Sequence, residues 1–292
     1  VAGLLPAGTP VYVNHLPRHS LADTLAGLIA VRRAGLEPVP HMAARRITSR
    51  EEAGRFLVRA TREAGVRKVL VIGGDLPVPA GPYSDAAAFL AEDLLAAHGI
   101  REVGLAAYPE GHPRITKAVL AAALAEKIKI LEAQGLGAFV VTQFTFAPTR
   151  TVELCADLYR SFPGLPVYTG LPGPTTLARL VQFAQRCGVG ASLRALQAHG
   201  LATVNLITRT DPGDQLLAIA QHEASRVEIT TGTLTTLEDD EQQELREAAR
   251  STVVLDPIGT IIWKGAAVVV RPSLEAAVLA DVQQGRTAYD TI

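Results

Sequence analysis

The sequence predicts an α/β fold of parallel strands joined by outer helices, and three observations carry the prediction. Short apolar runs alternate with longer amphipathic stretches rich in Ala, Leu, Glu and Arg, the pattern that arises when each buried strand is followed by a crossover helix. Gly35, Gly65, Gly99, Gly135 and Gly188 each fall just beyond a helical pattern, where a chain turns left-handed most easily without a Cβ. The 292 residues can bury a large core, and one barrel of about 250 residues with a modest appendage accommodates them.

From the amino end, the first apolar run is Val11 to Val13, followed by a helical pattern from Leu21 to Ala34. The second strand is Pro38 to His41. Its helix, Ser49 to Ala64, opens with Ser49 three residues before Glu52, a capping-box arrangement in which the hydroxyl satisfies a first-turn amide. Lys68 to Gly73 is paired with a helix from Ser84 to His98, Glu102 to Ala107 with Thr116 to Gln134, and Ala138 to Phe144 with Thr151 to Ser161. Pro166 to Thr169 precedes a helix from Thr175 to Cys187, and Thr203 to Ile207 precedes one from Pro212 to Ala224.

Beyond Ala224 the rhythm changes to a strand-like RVEIT, a Thr-rich link, an acidic helix from Leu237 to Ala249, and the runs VVLD, TIIW and AAVVV. Residues 1–224 therefore read as the main domain and residues 225–292 as its divergent end or a small appended α/β unit. The AAVVV run would make an edge strand able to pair with another subunit, which predicts a homo-oligomer.

Composition narrows the function classes. A hydrophobic fraction of 48% with 5% aromatics suits small-residue helix packing against buried strands. A net charge of -1 with scattered Arg residues offers no field for a polyanion, so nucleic acid is not an expected partner. Cys155 and Cys187 form neither a metal-ligand spacing nor a disulfide framework; they read as buried small hydrophobes in a reducing cytoplasm. No apolar run approaches the roughly 20 residues that span a bilayer, and VAGLLPAGTP carries no basic leader, so a soluble cytoplasmic protein is expected.

In parallel α/β folds the reactive groups gather at the carboxyl ends of the strands. The run VLVIGGD ends in Gly73, Gly74 and Asp75, where bare backbone admits a planar ligand and the acid reaches its edge. AAYPEGHP places Tyr108, Glu110 and His112 on one loop stiffened by two prolines. AFVVTQF ends in Gln143, whose amide can donate and accept at once, as the edge of a pterin requires. EPVPHMAARR delivers His41, a ring able to bond or stack. Each has a plainer reading too: glycine with Asp makes tight turns, Gln satisfies buried backbone, and a lone His is commonly structural.

Taken together, in order and spacing, GLEPVPH, GGD, AAYPEGHP and VTQFTF, with YTGLPGP and CGVG after them, resemble the methylenetetrahydrofolate reductase family from roughly Pro10 to Ala224. The resemblance implies a (β/α)8 TIM-type barrel carrying FAD. It implies that Asn14, His41, Gly73, Gly74, Asp75, Ala107, Tyr108 and His112 line the flavin and that Lys127 meets its phosphates. Asp75 and Gln143 become the catalytic and substrate-binding pair: Asp75 near both flavin and folate, where its charge favours the cationic iminium that accepts hydride, and Gln143 against folate and nicotinamide. The implied reaction passes hydride from NAD(P)H to FAD and then to 5,10-methylenetetrahydrofolate.

Two departures stand out. The family's first strand carries a glutamate that protonates the folate, whereas no acid precedes Pro10 here; either the natural beginning lies upstream of Val1 or another acid serves, Glu228 in RVEIT being the candidate. Gly73 stands where many members have Arg. These departures support an alternative, a flavin-free folate-binding or accessory barrel, or a one-carbon methyltransferase component on the same scaffold.

Overall fold

In a computed structural model of the chain, residues 7–15, 20–145, 147–170, 253–255 and 261–263 are described. The predicted strand at Thr203 to Ile207, the helices at Thr175 to Cys187 and Pro212 to Ala224, Gly188, Cys187, and the RVEIT, acidic-helix and AAVVV segments lie outside these residues. The chain divides into two compact units: Val1–Ala107, Thr116–Val141 and Leu255–Gly259 form the first, and Tyr108–Ile115, Thr142–Val254 and Thr260–Ile292 the second.

The first unit contains strands β1 (Pro10–Val13), β2 (Glu37–Ala43), β3 (Lys68–Ile72), β4 (Glu102–Ala107) and β5 (Gly137–Thr142, whose last residue belongs to the second unit). They lie side by side in chain order, and β1 with β2, β2 with β3 and β3 with β4 pair in parallel. This order has no reversal, the feature that would mark a doubly wound sheet; consecutive parallel neighbours are what a (β/α) barrel requires.

The helices bury one stripe each. In α1 (Leu21–Arg33) the buried residues are Leu21, Thr24, Leu25 and Leu28, and in α2 (Arg50–Glu63) they are Ala53, Phe56, Leu57 and Ala60, the three- and four-residue spacing of a face turned to a core. α5 (Lys117–Ala133) buries Leu124, Ile128 and Leu131. The predicted stops at Gly35, Gly65, Gly99 and Gly135 all have positive φ, between 64° and 81°. Arg32 extends from the end of α1 to donate to Ala64 O and Gly65 O at 2.9 Å each, so the carbonyls of the C-cap of α2 and of the residue after it find a cationic donor.

Two local expectations are corrected. Ser49 caps α2 by accepting from Glu52 N at 3.1 Å, but the Glu52 carboxylate accepts from Thr48 N at 2.9 Å and from the Thr48 hydroxyl instead of closing the box on Ser49. The single helix expected from Ser84 to His98 is two, α3 (Ala86–Leu90) and α4 (Leu94–Ala97), separated at Asp93 with φ 54°. Phe89, Leu90, Leu94 and Leu95 are all at most 6% exposed, yet on one continuous helix they would fan over roughly 240°. The break re-aims the second pair, and Asp tolerates the left-handed position it needs.

One face of the sheet turns toward the helices, for a Cβ added to Gly27 of α1 would meet Val13 Cγ1 at 3.2 Å. Parallel register places Tyr12, Val39, His41, Leu70 and Gly104 on the opposite face. Gly104 is bare there because a Cβ would sit 2.6 Å from Phe139 Cε2 and 2.9 Å from Leu70 Cδ1. At the amino ends of the strands the Lys68 ammonium lies 3.4 Å from Glu102 and 3.8 Å from Glu37.

In the second unit the loop Tyr108–Ile115 accompanies Thr142, α6 (Pro148–Ser161) and β6 (Val167–Tyr168). α6 starts three residues before the predicted Thr151 because Pro148 occupies its first turn, where its missing N–H costs nothing. Its buried side includes Cys155. The VVLD and TIIW runs form β7 (Val253–Leu255, whose last residue belongs to the first unit) and β8 (Ile261–Trp263), a two-stranded sheet.

Candidate functional site

In the first unit the register sets the level of each candidate. Val13 pairs with Pro40, so Asn14 comes next at the level of His41; Val71 pairs with Leu105, which puts Gly73 level with Ala107. The His41 ring meets Tyr12 edge-on, centroids 5.7 Å apart at 78°. Ala107 is buried at the end of β4. Among the described residues, a Cβ built on Gly73 would meet no atom within 4 Å, whereas one on Gly74, at φ 92°, would approach Ala43 Cβ at 3.3 Å. The backbone after β3 is therefore open on one side and packed on the other.

Arginines from the turn after β2, residues Ala44–Arg46, organise the loop after β3. Arg45 N donates to Gly73 O at 2.9 Å and Arg45 O accepts from Ala80 N at 2.8 Å. The Arg45 guanidinium donates to Leu76 O at 2.7 Å, and to Pro77 O and Ser84 O at 2.6 Å each, charge-assisted bonds that hold the loop at several points. Gly81 lies so close to Ile47 and Thr48 that a Cβ would stand 2.3 Å from Thr48 O. Arg46 donates through Nε (3.1 Å) and Nη2 (2.5 Å) to Asp75 Oδ1. Its side chain is 10% exposed and that of Asp75 is 71% exposed.

Lys127, on α5, is drawn to Asp85, the N-cap of α3. Burial pushes the Lys127 pKa down, against the attraction of Asp85 and Glu126. Burial acts to raise the pKa of Asp85, but hydrogen bonds from Ala88 N, Ser84 Oγ and Ala87 N, helped by Lys127, outweigh it and hold the carboxyl below its usual value.

The second unit holds the other candidates. Gly111, at φ 78°, donates to Tyr108 O at 3.0 Å and turns the loop, bringing the Tyr108 and His112 rings edge-to-face at 5.6 Å. Burial raises the pKa of the Tyr108 phenol and lowers that of His112, with Arg114 adding to the latter; His112 Nδ1 accepts from Arg114 N at 3.2 Å. β5 stops at Thr142, so Gln143 stands just past the strand, its Oε1 accepting from Phe144 N at 3.1 Å. Buried Thr145 donates to Glu110 Oε1 at 2.6 Å and accepts from Ala147 N at 3.0 Å. Thr142 Oγ1 accepts from Gly170 N at 2.9 Å, and a Cβ on Gly170 would collide with Thr142 O at 2.5 Å, which accounts for the glycine in YTGLPGP.

A sequence profile of the family described as methylenetetrahydrofolate reductase matches residues 19–193. The chain belongs to the methylenetetrahydrofolate reductase family. The match spans α1 through α6 in full and takes in the GGD, AAYPEGHP and TQF segments. A 5,10-methylenetetrahydrofolate reductase of Pectobacterium carotovorum subsp. carotovorum is 34% identical over 100 residues, 34% of this chain and 31% of that protein. The chain thus matches about a third of that relative's length. Among solved structures, the chain is similar to the radical S-adenosylmethionine methyltransferase TsrM from Kitasatospora setae, with tryptophan substrate and a SAM analogue (aza-SAM) bound, at 16% identity over 62% of this chain and 40% of that one. With a TM-score of 0.33, that likeness carries no argument.

Two of the family segments hold residues that pattern alone passed over. Arg45 and Arg46 end the same EPVPHMAARR segment that singled out His41, and Thr145 lies two residues past Gln143. Two consecutive arginines at a strand end, where charge is seldom buried without purpose, were the available signal.

Proposed function

We propose that the chain is a flavin-dependent oxidoreductase that reduces 5,10-methylenetetrahydrofolate, or a closely related one-carbon folate, with NAD(P)H as electron donor. Family membership supports the reaction class. The observation that carries the reading to this chain's own residues is the exposed Asp75 carboxylate beside the open backbone of Gly73 at the carboxyl end of β3. The reading takes residues 1–224 as a closed (β/α)8 barrel, and the consecutive parallel order of β1 to β4 supports it.

The donor set fits FAD. Gly73 offers bare backbone to a planar ring, His41 and Tyr12 offer aromatic edges on the inner sheet face, and Lys127 is a partly sheltered cation suited to a phosphate. The family resemblance adds Asn14, Gly74 and Ala107 of the first unit to these groups and separately assigns Tyr108 and His112 of the second unit to the flavin. When bound, the flavin supplies the hydride chemistry, and the protein supplies placement and electrostatics. Asp75 sets a negative charge where the folate becomes cationic on its way to accepting hydride. Gln143, its carbonyl oxygen engaged by Phe144 N, offers its amide N–H groups to an acceptor on the pterin or the nicotinamide.

A visible absorption spectrum of the purified protein, before and after incubation with FAD and removal of the excess, tests this. Retained flavin absorbance, bleached by NAD(P)H and restored by methylenetetrahydrofolate, is the expected result. No retained flavin at saturating FAD would overturn it in favour of a flavin-free folate protein.

A further inference from the structure

We infer that Arg46 is a positioning residue for Asp75, a pedestal that fixes one carboxylate oxygen and presents the other to the ligand; the inference rests on the reading of Asp75 proposed above. The backbone around Asp75 is pinned on both sides by Arg45, through Gly73 O before it and Leu76 O after it. What remains is the side-chain torsion, and Arg46 sets it. Both of its donors go to Oδ1, at 3.1 and 2.5 Å, and among the described residues none donates to Oδ2.

The exposures give the arrangement its direction. The Arg46 side chain is 10% exposed and the Asp75 side chain it bonds is 71% exposed, so the cationic side chain is the sheltered partner and the anionic one is displayed. A surface ion pair made only for stability has no need of this asymmetry, and such pairs contribute little. A sheltered cation under a displayed anion keeps the carboxylate in one orientation without enclosing it, as a group that must meet a ligand requires. Arg46 comes from the turn after the neighbouring strand, not from the position of Gly73, so a cation adjoins Asp75 although β3 is joined to Asp75 by bare glycines.

The test uses Arg46→Gln, Arg46→Lys, Asp75→Asn and the double variant Arg46→Gln/Asp75→Asn of the full chain, with two readouts. The first is the rate of each half-reaction, flavin reduction by NAD(P)H and flavin reoxidation by methylenetetrahydrofolate. Arg46→Gln should slow reoxidation about tenfold or more, on the scale expected for a misplaced group, and leave flavin reduction within about twofold. Arg46→Lys, which keeps a donor and the charge, should recover part of the loss, and adding Arg46→Gln to Asp75→Asn should cost nothing further. The second readout is the urea midpoint of the flavin-free protein. Asp75→Asn should lower it by leaving the sheltered guanidinium without its anion, and the double variant should regain the difference.

Equal slowing of both half-reactions by Arg46→Gln, an unchanged reoxidation rate, or midpoints that fall additively would overturn the role of Arg46 while leaving the proposed reaction standing. A wild-type protein that takes up no flavin, or is not reoxidised by the folate, would overturn the reading of function and this inference with it.

Discussion

Gly104 is the place where the packing of the sheet's inner face can be tested with a single atom. Replacing it by Ala would put a Cβ 2.6 and 2.7 Å from Cε2 and Cζ of Phe139 and 2.9 Å from Leu70 Cδ1, roughly an ångström inside comfortable carbon contact. Phe139 and Leu70 are 3% and 4% exposed, so neither can swing into water, and the aromatic ring has no bend to offer. Overpacking of this kind costs about 1–3 kcal/mol. The loss of glycine's freedom in the unfolded chain returns about 0.4–1 kcal/mol, which leaves a net destabilisation of about 1–2 kcal/mol. Urea denaturation of Gly104→Ala, Phe139→Leu and the double variant measures it. The single changes should each destabilise, and the double should be more stable than their sum by about 1 kcal/mol, because Leu vacates the space that the new methyl needs. A Gly104→Ala protein as stable as wild type, or a strictly additive double variant, would refute the assigned packing.

The hydrogen-bonded groups give two further expected outcomes. Asp85 has a folded pKa below its unfolded value of about 3.8, so its contribution to stability is present above the unfolded pKa and is lost as pH falls through the folded one. Asp85→Asn keeps an N-cap acceptor and should remove that part of the acid limb; denaturation midpoints recorded from pH 6 down to about pH 3 should fall less steeply in the variant, and an unchanged slope would count against the assignment. Thr145→Val preserves shape but leaves Glu110 and Ala147 N without the hydroxyl. It should cost about 1–3 kcal/mol and speed hydrogen exchange in residues 108–115 and 143–147 before the rest of the chain, whereas exchange that stays at the wild-type rate would show that the hydroxyl does not tie the two segments.

Much of the first unit was legible because its signals are local. Strand β4 from Glu102 to Ala107 matches the expected range, the four described glycine stops have the left-handed φ that their position after a helix suggested, and the length of each apolar run marked a buried strand. The failures are equally physical. The pattern from Ser84 to His98 has helical composition throughout, yet its four large apolar residues cannot share one face, and only their common burial shows that the chain must break at Asp93. Glu52 stands at capping-box spacing from Ser49, but it bonds Thr48, one residue earlier, a choice that spacing alone does not distinguish.

The sequence by itself determined the family, the alternation of strand and helix, and the strand-end motifs GGD, AAYPEGHP and TQF, because periodicity and motif spacing are properties of neighbouring residues. Tertiary structure alone decided what those motifs touch. Asp75 reads as a lone carboxylate at a glycine turn until the parallel pairing of β2 with β3 brings Arg46 beneath it from 29 residues away, and Gly104 reads as a weak point in a strand until Phe139 fills the space above it. Charge pairing and steric fit depend on distances through space, and no spacing along the chain encodes them.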